Sequence, residues 1–591
     1  KTRLPPMHVL AQTAAATATA TTTSTASSLS SSATTTHGQD ESELLLEPET
    51  ATTKIAFGSC HKNHLASSPT TIWETIAKAE TVIRHRNELV SPGDDSDDDG
   101  DDHSVDANLI SAVRPLDAWI WTGDAIYPPH RDPITHRKTY REATLQEMKE
   151  SFDEMKFYNK SIGYKQFSEG TFEHNYWNAE EKYIDSYSIP PPKHIYGVWD
   201  DHDWGGNDFG NRMPQQQERK QIFMDFLGYP RRSETDNDDH NDNDNEEEVV
   251  EILPSSRPGF YHSFEMTDDP SPSKYYGKSA SITDPMNRQR EEGKKTGSRG
   301  GKIKVIMLDT RSQREDHCIP SVGQSLPLGA VIACLTRWLT SGLLLYKYAG
   351  LWGYEGCEHN KILDDDQWSW FEQELLGPLS QSLSESTETD AAAPDLYVIV
   401  STIQVWSTNP ATESWGQFPH EQERLWNLLR KYYDTTPSTT SNSSSSSQEE
   451  EPQQRHRAPV VFLSGDVHHA EISGQPGWFD VTSSGLTHHC GQHKLYGWTS
   501  KAVLESFPKH RYHSKLNYFI GLNYGVLQVD WDRRIYEVLV KDSNGDEVLG
   551  ISQSLDDPPP SMPPYKDLPH TWDGHLIPYV QKLTWCVICG A

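Results

Sequence analysis

The sequence has few basic residues for its acidic content. It carries 53 Lys and Arg against 86 Asp and Glu, which gives a formal net charge of −33. Duplex nucleic acid is therefore excluded as an expected partner, because its phosphates would be repelled. The hydrophobic share is only 35%, although 18 Trp and 25 Tyr are present, and this combination indicates a packed core diluted by polar segments.

Long apolar runs are also scarce, and the cysteine count is odd. The most apolar segment, residues 326–354, is interrupted by Arg337 and Lys347, so no uninterrupted run of about 18 apolar residues occurs in it. We interpret it as a helix that contacts a protein or membrane surface, with a membrane-spanning helix as the less favoured alternative. The seven cysteines argue against a complete disulfide framework. The chain begins with Lys1, so a targeting signal can be missing from it; a secreted or membrane-associated location is favoured but not fixed.

Low-complexity segments divide the chain. Residues 1–50 are an Ala/Thr/Ser-rich tract that we predict to be disordered, residues 51–550 are predicted to form one folded domain, and residues 551–591 are a Pro-rich extension. Similar polar filler predicts disordered insertions near 92–104, 233–251, 270–301, 380–394 and 435–457. These insertions interrupt one domain rather than separate several, because the segments between them share a single pattern.

The shared pattern is a short apolar run, rich in β-forming residues, that ends abruptly in small and polar residues. The six runs are 54–60, 118–127, 195–203, 304–311, 396–406 and 460–469. Runs of this kind are typical of strands buried on both faces, and segments 364–376 and 421–433 between them predict helices. The predicted fold class is therefore α/β, in which ligands bind at the carboxyl ends of the strands.

The polar residues after these runs have the chemistry of metal ligands. They are Cys60, Asp124, Tyr127, Asp200, Asn207, Asp466 and His468. Even three carboxylates gathered without a cation would be costly, since charges about 4 Å apart repel by roughly 4 kcal/mol at an effective dielectric of 20. Oxygen and imidazole ligands suit Ca²⁺, Mg²⁺, Mn²⁺ or iron; a phenolate favours Fe³⁺, and a thiolate adds to the preference for a transition metal. We predict a metal site here, with Gly123 and Gly465 allowing a sharp turn beside the acidic ligands.

The ordered set of motifs resembles one enzyme family. "GSC", "GDAIY", "WDDHDWGGND", "PGFYHSF", "LDTRSQRE", "ILDDDQWSWFEQEL" and "SGDVHHAEI" look like the motifs of the PhoD-like alkaline phosphatases (alkaline phosphatase D), in order over about residues 54–545. The resemblance implies a metallophosphoesterase-like α/β/β/α sandwich with a centre of Fe³⁺ and Ca²⁺, other divalent metals being alternatives. It implies hydrolysis of phosphate mono- or diesters. The family pattern is not matched at Asp203, where Glu is common, nor by the long insertion 315–360.

Carried over residue by residue, the resemblance implies two sets of ligands that share one aspartate. Cys60, Asp124, Tyr127 and His468 would hold iron, and Asp124 would bridge to calcium, which Asp200, Asn207 and Asp466 complete. His202 is expected to contact phosphate or act as a general acid, with support of a metal ligand as its alternative. Arg311 is expected to clamp a phosphate, with an ion pair to a helix carboxylate as its alternative.

Several alternatives remain open from the sequence. Asp201 or Asp208 can replace a ligand in the crowded loop 200–208, and His469 is disfavoured because adjacent strand residues point to opposite faces. One rival function is a two-metal phosphatase of the purple acid type, although the His-rich third-strand motif and closing His-x-His expected there are missing. The other is a non-catalytic calcium-binding or surface-interaction protein on the same fold.

Overall fold

The structure is a computed structural model. It describes residues 51–62, 72–85, 110–129, 141–157, 162–177, 182–229, 257–267, 301–318, 329–352, 356–381, 393–434, 457–492, 494–557, 559–571, 576–578 and 580–581. The predicted tract 1–50 and the predicted insertions 92–104 and 233–251 lie outside these residues, as do 270–300, 382–392 and 435–456 of the other three insertions.

Short strands and helices alternate through most of the described chain. The strands are β1 (Thr52–Gly58), β2 (Val82–His85), β3 (Ile110–Arg114), β4 (Ala118–Thr122), β5 (Thr171–Trp177), β6 (Lys182–Ser188), β7 (His194–Val198), β8 (His262–Thr267), β9 (Lys302–Met307), β10 (Leu396–Val400), β11 (Val460–Ser464), β12 (Ala470–Ser473), β13 (Trp478–Ser483), β14 (Tyr518–Phe519), β15 (Asn523–Asp530), β16 (Ile535–Asp542) and β17 (Glu547–Ser554). The helices are α1 (Ile72–Glu80), α2 (Leu145–Phe157), α3 (Ile162–Glu169), α4 (Asp201–Trp204), α5 (Gln216–Leu227), α6 (Gly329–Gly342), α7 (Asp365–Gln381), α8 (Pro419–Asp434) and α9 (Lys494–Ser506). Short 3₁₀ segments cover Leu345–Trp352, Cys357–His359, Trp415–Gln417 and Tyr565–Asp567.

Two mixed β-sheets form the centre of the α/β fold. The first has six strands in the order β17-β16-β15-β1-β4-β7, in which β1, β4 and β7 run parallel. The second has seven strands in the order β14-β12-β13-β11-β10-β9-β8, with a parallel core of β9, β10, β11 and β13. The carboxyl ends of parallel strands share one edge of a sheet, so each sheet presents the loops after its central strands together.

Apolar side chains alternate between separate cores. In β4, Ala118 and Ile120 belong to a core that also contains side chains of the second sheet, such as Val398 of β10. Trp119 and Trp121 point the other way, into a core shared with α1, α2, α3 and α5. The opposite face of the second sheet meets α7 and α8 in a third core. This alternation explains why the strands read as continuous apolar runs, since both of their faces are buried.

The predicted α/β class is confirmed, and so are strands at all six apolar runs, although β1, β7 and β9 are only partly buried. Each of the six apolar runs contains a strand, and β4, β10 and β11 are buried at every position. The predicted helices at 364–376 and 421–433 correspond to α7 and α8. Of the predicted extension 551–591, the part near Met562 packs on α8, where Trp426 donates a hydrogen bond to the Pro563 carbonyl at 2.9 Å.

The apolar segment 326–354 is divided between α6 and the 3₁₀ segment Leu345–Trp352. Cys318 and Cys357 form a disulfide that closes this part of the chain. Among the described residues, no helix combines the length and the apolar character needed to cross a membrane.

Candidate metal centre

Four aspartates from three strand ends meet in one place. Asp124 follows β4, Asp200 and Asp201 follow β7, and Asp466 follows β11 in the other sheet. One carboxylate oxygen from each of the four lies within 4.8 Å of the others. Three of these residues are buried, and Asp466 is half-buried. The centre is therefore built where the carboxyl ends of both parallel sheet cores face each other.

The backbone at the centre adopts conformations that are unusual for residues other than glycine. Cys60, Asp124, Asp466 and His468 have φ values of 65°, 51°, 71° and 59°. Such left-handed conformations cost free energy and are concentrated at functional sites in proteins. Here they turn the chain sharply after β1, β4 and β11, and the side chains of Cys60 and Asp466 both lie close to Asp124.

Glycine is required beside the centre for close approach. At Gly123, whose φ is +99°, an added Cβ would lie 2.5 Å from the Asp200 Cβ. At Gly465 an added Cβ would lie 2.6 Å from the Ser59 hydroxyl oxygen and from the Thr122 carbonyl oxygen. Larger residues would therefore push the strand ends apart.

The Asp124 carboxylate lies between the thiol and the phenol. Tyr127 donates its hydroxyl hydrogen to Asp124 Oδ2 at 2.7 Å, and Cys60 Sγ lies 3.6 Å from the same oxygen. The other oxygen, Oδ1, accepts a hydrogen bond from the His202 backbone N–H at 3.3 Å. A hydroxyl of Ser484 lies 3.0 Å from Cys60 Sγ. Three predicted iron ligands are thus in direct contact with one another.

Asp203 and Asp201 make different hydrogen bonds in the loop after β7. Asp203 accepts hydrogen bonds from the backbone N–H groups of Ile126 at 3.0 Å and Asp200 at 3.1 Å, so it joins this loop to the loop after β4. Asp201 directs Oδ2 to the Asp208 N–H at 2.7 Å, while its buried Oδ1 accepts no hydrogen bond from any described residue. This oxygen lies 4.0 Å from His202 Nε2 and is open to a cation, which makes Asp201 a candidate ligand in addition to Asp200.

Burial and mutual repulsion set the electrostatics of the centre. Burial is the largest cause that raises the pKa of Asp124, followed by the charges of Asp201 and Asp200. Burial and the Asp124 charge raise the pKa values of the Cys60 thiol and the Tyr127 phenol. The pKa of Asp201 is raised to about 7, mainly by burial. A bound cation would reverse these shifts, because it stabilises the anionic form of each ligand.

Arg311 lies inside the protein as part of an ion-pair network. It is fully buried, its Nε binds Asp200 Oδ1 at 2.5 Å, and its Nη1 lies 3.1 Å from Glu413 Oε2. Its Nη2 is 4.0 Å from Asp466 Oδ1 and makes no hydrogen bond to any described residue. This arrangement corresponds to the ion-pair alternative, with the carboxylates on loops rather than on a helix, and leaves one donor facing the centre.

Histidines form one side of the centre. The Tyr127 ring lies 4.0 Å from the His202 ring and 5.0 Å from the His488 ring, measured between centroids. The rings of His468 and His488 are 4.3 Å apart. Burial lowers the pKa of His468 to about 3 and also lowers that of His488, so both rings are neutral and have a lone pair to offer. His469 points away, with Nδ1 3.0 Å from the Val467 carbonyl and Nε2 3.8 Å from Glu471.

His488 is a residue that the sequence reasoning missed. Its Nδ1 lies 3.0 Å from the Cys60 carbonyl oxygen, and its buried Nε2 has no hydrogen-bond partner among the described residues. It follows β13, whose run "WFDVTS" is followed directly by Ser484 and Gly485, just as the run at 460–469 ends its strand in Ser464 and Gly465. That ending is the signal that would have found it.

Asn207 was predicted as a metal ligand, whereas Glu413 was not predicted to belong to the site. Asn207 is half-buried in the turn after α4, next to Asp208. Glu413 is buried and binds Arg311 and Arg314, although it lies in an irregular stretch after β10. No local pattern distinguishes Glu413, so the sequence offered no signal for it.

A second group of acidic and histidine side chains lies beside the first. Asp208, His317 and Glu413 also bring ligand-type atoms within 4.8 Å of one another. Their oxygens are already used by arginines, since Arg337 binds both oxygens of Asp208 at 3.1 and 3.2 Å, and Arg314 binds Glu413. This group is better described as a charge-balanced support for the loop after β7.

Comparisons with known proteins give little further information. No family model matches the chain, and no curated protein matches it. Among solved structures, it is similar to a chain described as "GAP50 the anchor in the inner membrane complex of Plasmodium", with 8% identity and a TM-score of 0.32 over 87% of this chain and 91% of that chain.

Proposed function

We propose that the protein is a metal-dependent phosphoesterase, similar to alkaline phosphatase D, that hydrolyses phosphate mono- or diesters. The observation that carries the proposal is the meeting of Asp124, Asp200, Asp201 and Asp466 within 4.8 Å at the carboxyl ends of two sheets. Four ionised carboxylates at that spacing would repel by about 3.5 kcal/mol per pair at an effective dielectric of 20. Arg311 offsets only part of this repulsion, and a bound cation would offset the rest.

The residues present fit a site for more than one metal ion. Cys60, Asp124, Tyr127 and His468 would hold the iron that the family resemblance implies, and the neighbouring aspartates with Asn207 would hold calcium. The contact of a thiol, a phenol and a carboxylate oxygen supports the first set, because thiolate and phenolate favour a transition metal. The free Oδ1 of Asp201 supports the second. The bound metals supply charge neutralisation and a water of lowered pKa.

The protein's own side chains hold and orient the reacting groups. The half-buried His202 ring lies 4.0 Å from the Tyr127 ring and is tilted against it, and we assign it to contact a phosphate oxygen or to give a proton to a leaving group. Arg311 uses Nε on Asp200, so we assign it to positioning this carboxylate, with Nη2 as its remaining donor toward the substrate side. Asp203 fixes the distance between the two loops that carry Asp124 and Asp200.

The arrangement of the apolar cores supports the layered architecture that we propose. One core lies between the sheets, and the outer face of each sheet has its own core with helices. An α/β/β/α sandwich would produce these three cores. It would also bring the carboxyl ends of β4, β7 and β11 together, as an interface between two sheets requires.

The test is hydrolysis of generic aryl phosphate mono- and diesters by the purified full chain, before and after metal removal. We expect turnover that is lost on chelation, is restored by iron with calcium, and falls by at least about 1000-fold in Asp124→Asn. Asp395→Asn is the matched control and should retain activity. Asp395 precedes β10, at the end of the strand opposite to the metal centre, and it binds Lys302 and Arg534. Retention of activity in Asp124→Asn at matched metal content would contradict the proposal.

The same assay separates the two rival functions. A purple-acid-type enzyme would be restored by two similar transition metals without calcium. A non-catalytic calcium-binding protein would bind calcium and show no turnover with either ester.

A further inference from the structure

The arm formed by residues 329–352 presents its apolar side chains to solvent. Leu335 and Leu339 of α6 are 53% and 41% exposed, and Tyr348 and Leu351 of the following 3₁₀ segment are 57% and 82% exposed. Seven large apolar side chains are strongly exposed among the described residues, and these four are among them. A fifth, Val580, belongs to the segment that joins the end of α6 through a hydrogen bond from Leu576 N to the Gly342 carbonyl at 2.8 Å.

The helix α6 is inverted in its burial pattern: it exposes apolar side chains and buries polar ones, unlike a typical surface helix of a soluble domain. Among the side chains of α6 that the structure describes, the buried ones are polar: Arg337, Thr340 and Ser341 are at most 8% exposed. At 100° per residue, Leu335 and Leu339 lie on the opposite side of the helix. A surface helix normally buries its apolar stripe and exposes its polar one. The reversed order indicates that the apolar side has a non-aqueous partner.

Polar contacts hold the inverted helix in place. Arg337 binds the Asp208 carboxylate at 3.1 and 3.2 Å and donates Nε–H to the Ala411 carbonyl at 3.3 Å, and Ser341 donates to Gln417 Oε1 at 3.2 Å. The disulfide Cys318–Cys357 joins two residues that flank the arm in the sequence. The body of the protein therefore selects this orientation of α6 through buried polar groups, and the exposed leucines are not the result of loose attachment.

The charge of the arm points to the kind of partner. None of the 37 residues from Cys318 to Tyr354 is acidic, whereas 86 of the 591 residues of the whole chain are. Its two basic residues are Arg337, which is paired with Asp208, and the exposed Lys347. Leucine, tyrosine and tryptophan with a lysine at the edge make up the composition of segments that insert at a bilayer interface.

We propose that the arm docks on the surface of a zwitterionic lipid bilayer, with Leu335, Leu339 and Leu351 inserted and Lys347 at the headgroups. A second copy of this chain is a less suitable partner, because it would bring another net charge of −33 to the contact. Anionic lipid is disfavoured for the same reason. The inference is independent of the proposed phosphoesterase activity, since it needs no metal and no substrate.

The experiment is flotation of the full chain with phosphatidylcholine vesicles, with and without phosphatidylserine. We expect binding to phosphatidylcholine that is unchanged between about 50 and 500 mM salt, because apolar insertion is not screened, and that is weaker when phosphatidylserine is added. The triple variant Leu335→Ser/Leu339→Ser/Leu351→Ser should lose at least about tenfold in partitioning. The control Phe157→Ser/Leu516→Ser changes two exposed apolar residues outside the arm and should bind like wild type.

Three results would overturn the proposal. They are the absence of wild-type flotation, an equal loss in the control variant, and binding only to phosphatidylserine-rich vesicles. Sedimentation velocity of both variants identifies the competing explanation, since a wild-type dimer that dissociates in the triple variant would assign the arm to self-association. Circular dichroism with a thermal melt verifies that both variants are folded, and the serine changes lie on exposed positions where folding should be retained.

Discussion

Proton release on metal binding gives a quantitative test of the carboxylate cluster. Without a cation, burial raises the pKa of Asp201 to about 7, whereas an aspartate in the unfolded chain has a pKa near 3.9. The perturbation is Asp201→Asn, which retains an oxygen acceptor for the Asp208 N–H and removes the titrating group. The chelated wild type and the chelated variant are then titrated with Ca²⁺ at several pH values.

The number of protons released on metal binding follows from the raised pKa of Asp201. A group with a pKa of about 7 is roughly nine-tenths protonated at pH 6 and almost fully ionised at pH 8.5. Calcium binding to wild type should therefore release more protons than binding to Asp201→Asn at pH 6, by up to about one per chain, and the difference should shrink toward pH 8.5. The raised pKa also means that folded, metal-free protein holds its proton more tightly than the unfolded chain does. Stability from this group is thus greatest below about pH 4 and falls by about 4 kcal/mol as the pH rises from about 4 to about 7, above which it stays constant.

Isothermal titration calorimetry in buffers of different ionisation enthalpy counts the released protons. Urea unfolding of the chelated proteins at pH 5 and pH 8 measures the second effect, which should be smaller in Asp201→Asn. Asp395→Asn serves as the control and should behave like wild type in both measurements. Equal proton release by wild type and Asp201→Asn at pH 6 would refute the placement of Asp201 in a buried cation site.

Three further predictions concern the surroundings of the centre. Tyr127→Phe removes the hydroxyl that binds Asp124, so the visible charge-transfer band expected of the iron-loaded protein should disappear or shift in an absorption spectrum; an unchanged band would contradict phenolate ligation. Arg337→Met leaves the Asp208 carboxylate buried without its partner and should lower the free energy of unfolding by about 3 kcal/mol; Asp208→Asn in the same chain should recover most of it, and its failure to do so in urea unfolding would refute the pairing argument. His488→Asn should weaken metal retention roughly tenfold in dialysis followed by elemental analysis, and retention equal to wild type would contradict a role of the ring in metal binding.

The strand ends were predictable because the signal is local. A strand between two cores is apolar at every position, so the runs at 118–127 and 460–469 identified β4 and β11 and placed Asp124 and Asp466 after them. The glycines before these aspartates indicated the sharp turns, and Gly123 indeed permits the approach of Asp200. Local pattern was sufficient wherever the ligand follows its strand directly.

The rest of the centre depends on contacts between distant segments. Asp200 and Asp201 are adjacent in sequence, but the start of α4 gives them different contacts. Arg311 binds the carboxylate of Asp200, whereas the Asp208 N–H binds that of Asp201. The pairing of Arg311 with Glu413 joins residues 102 positions apart, and no periodicity reveals it. The inverted orientation of α6 was equally hidden, because an amphipathic pattern does not state which face is buried.

Elemental analysis of the purified, catalytically active chain tests the central claim most directly. The account predicts about one iron and at least one calcium per chain, with less of each metal retained by Asp124→Asn, because Asp124 is proposed to be the ligand common to the two metals. Calcium chelation should stop turnover and leave the iron in place. Active protein that contains only zinc or manganese would contradict the iron and calcium assignment, and active protein without stoichiometric metal would contradict the metal-dependent mechanism as a whole.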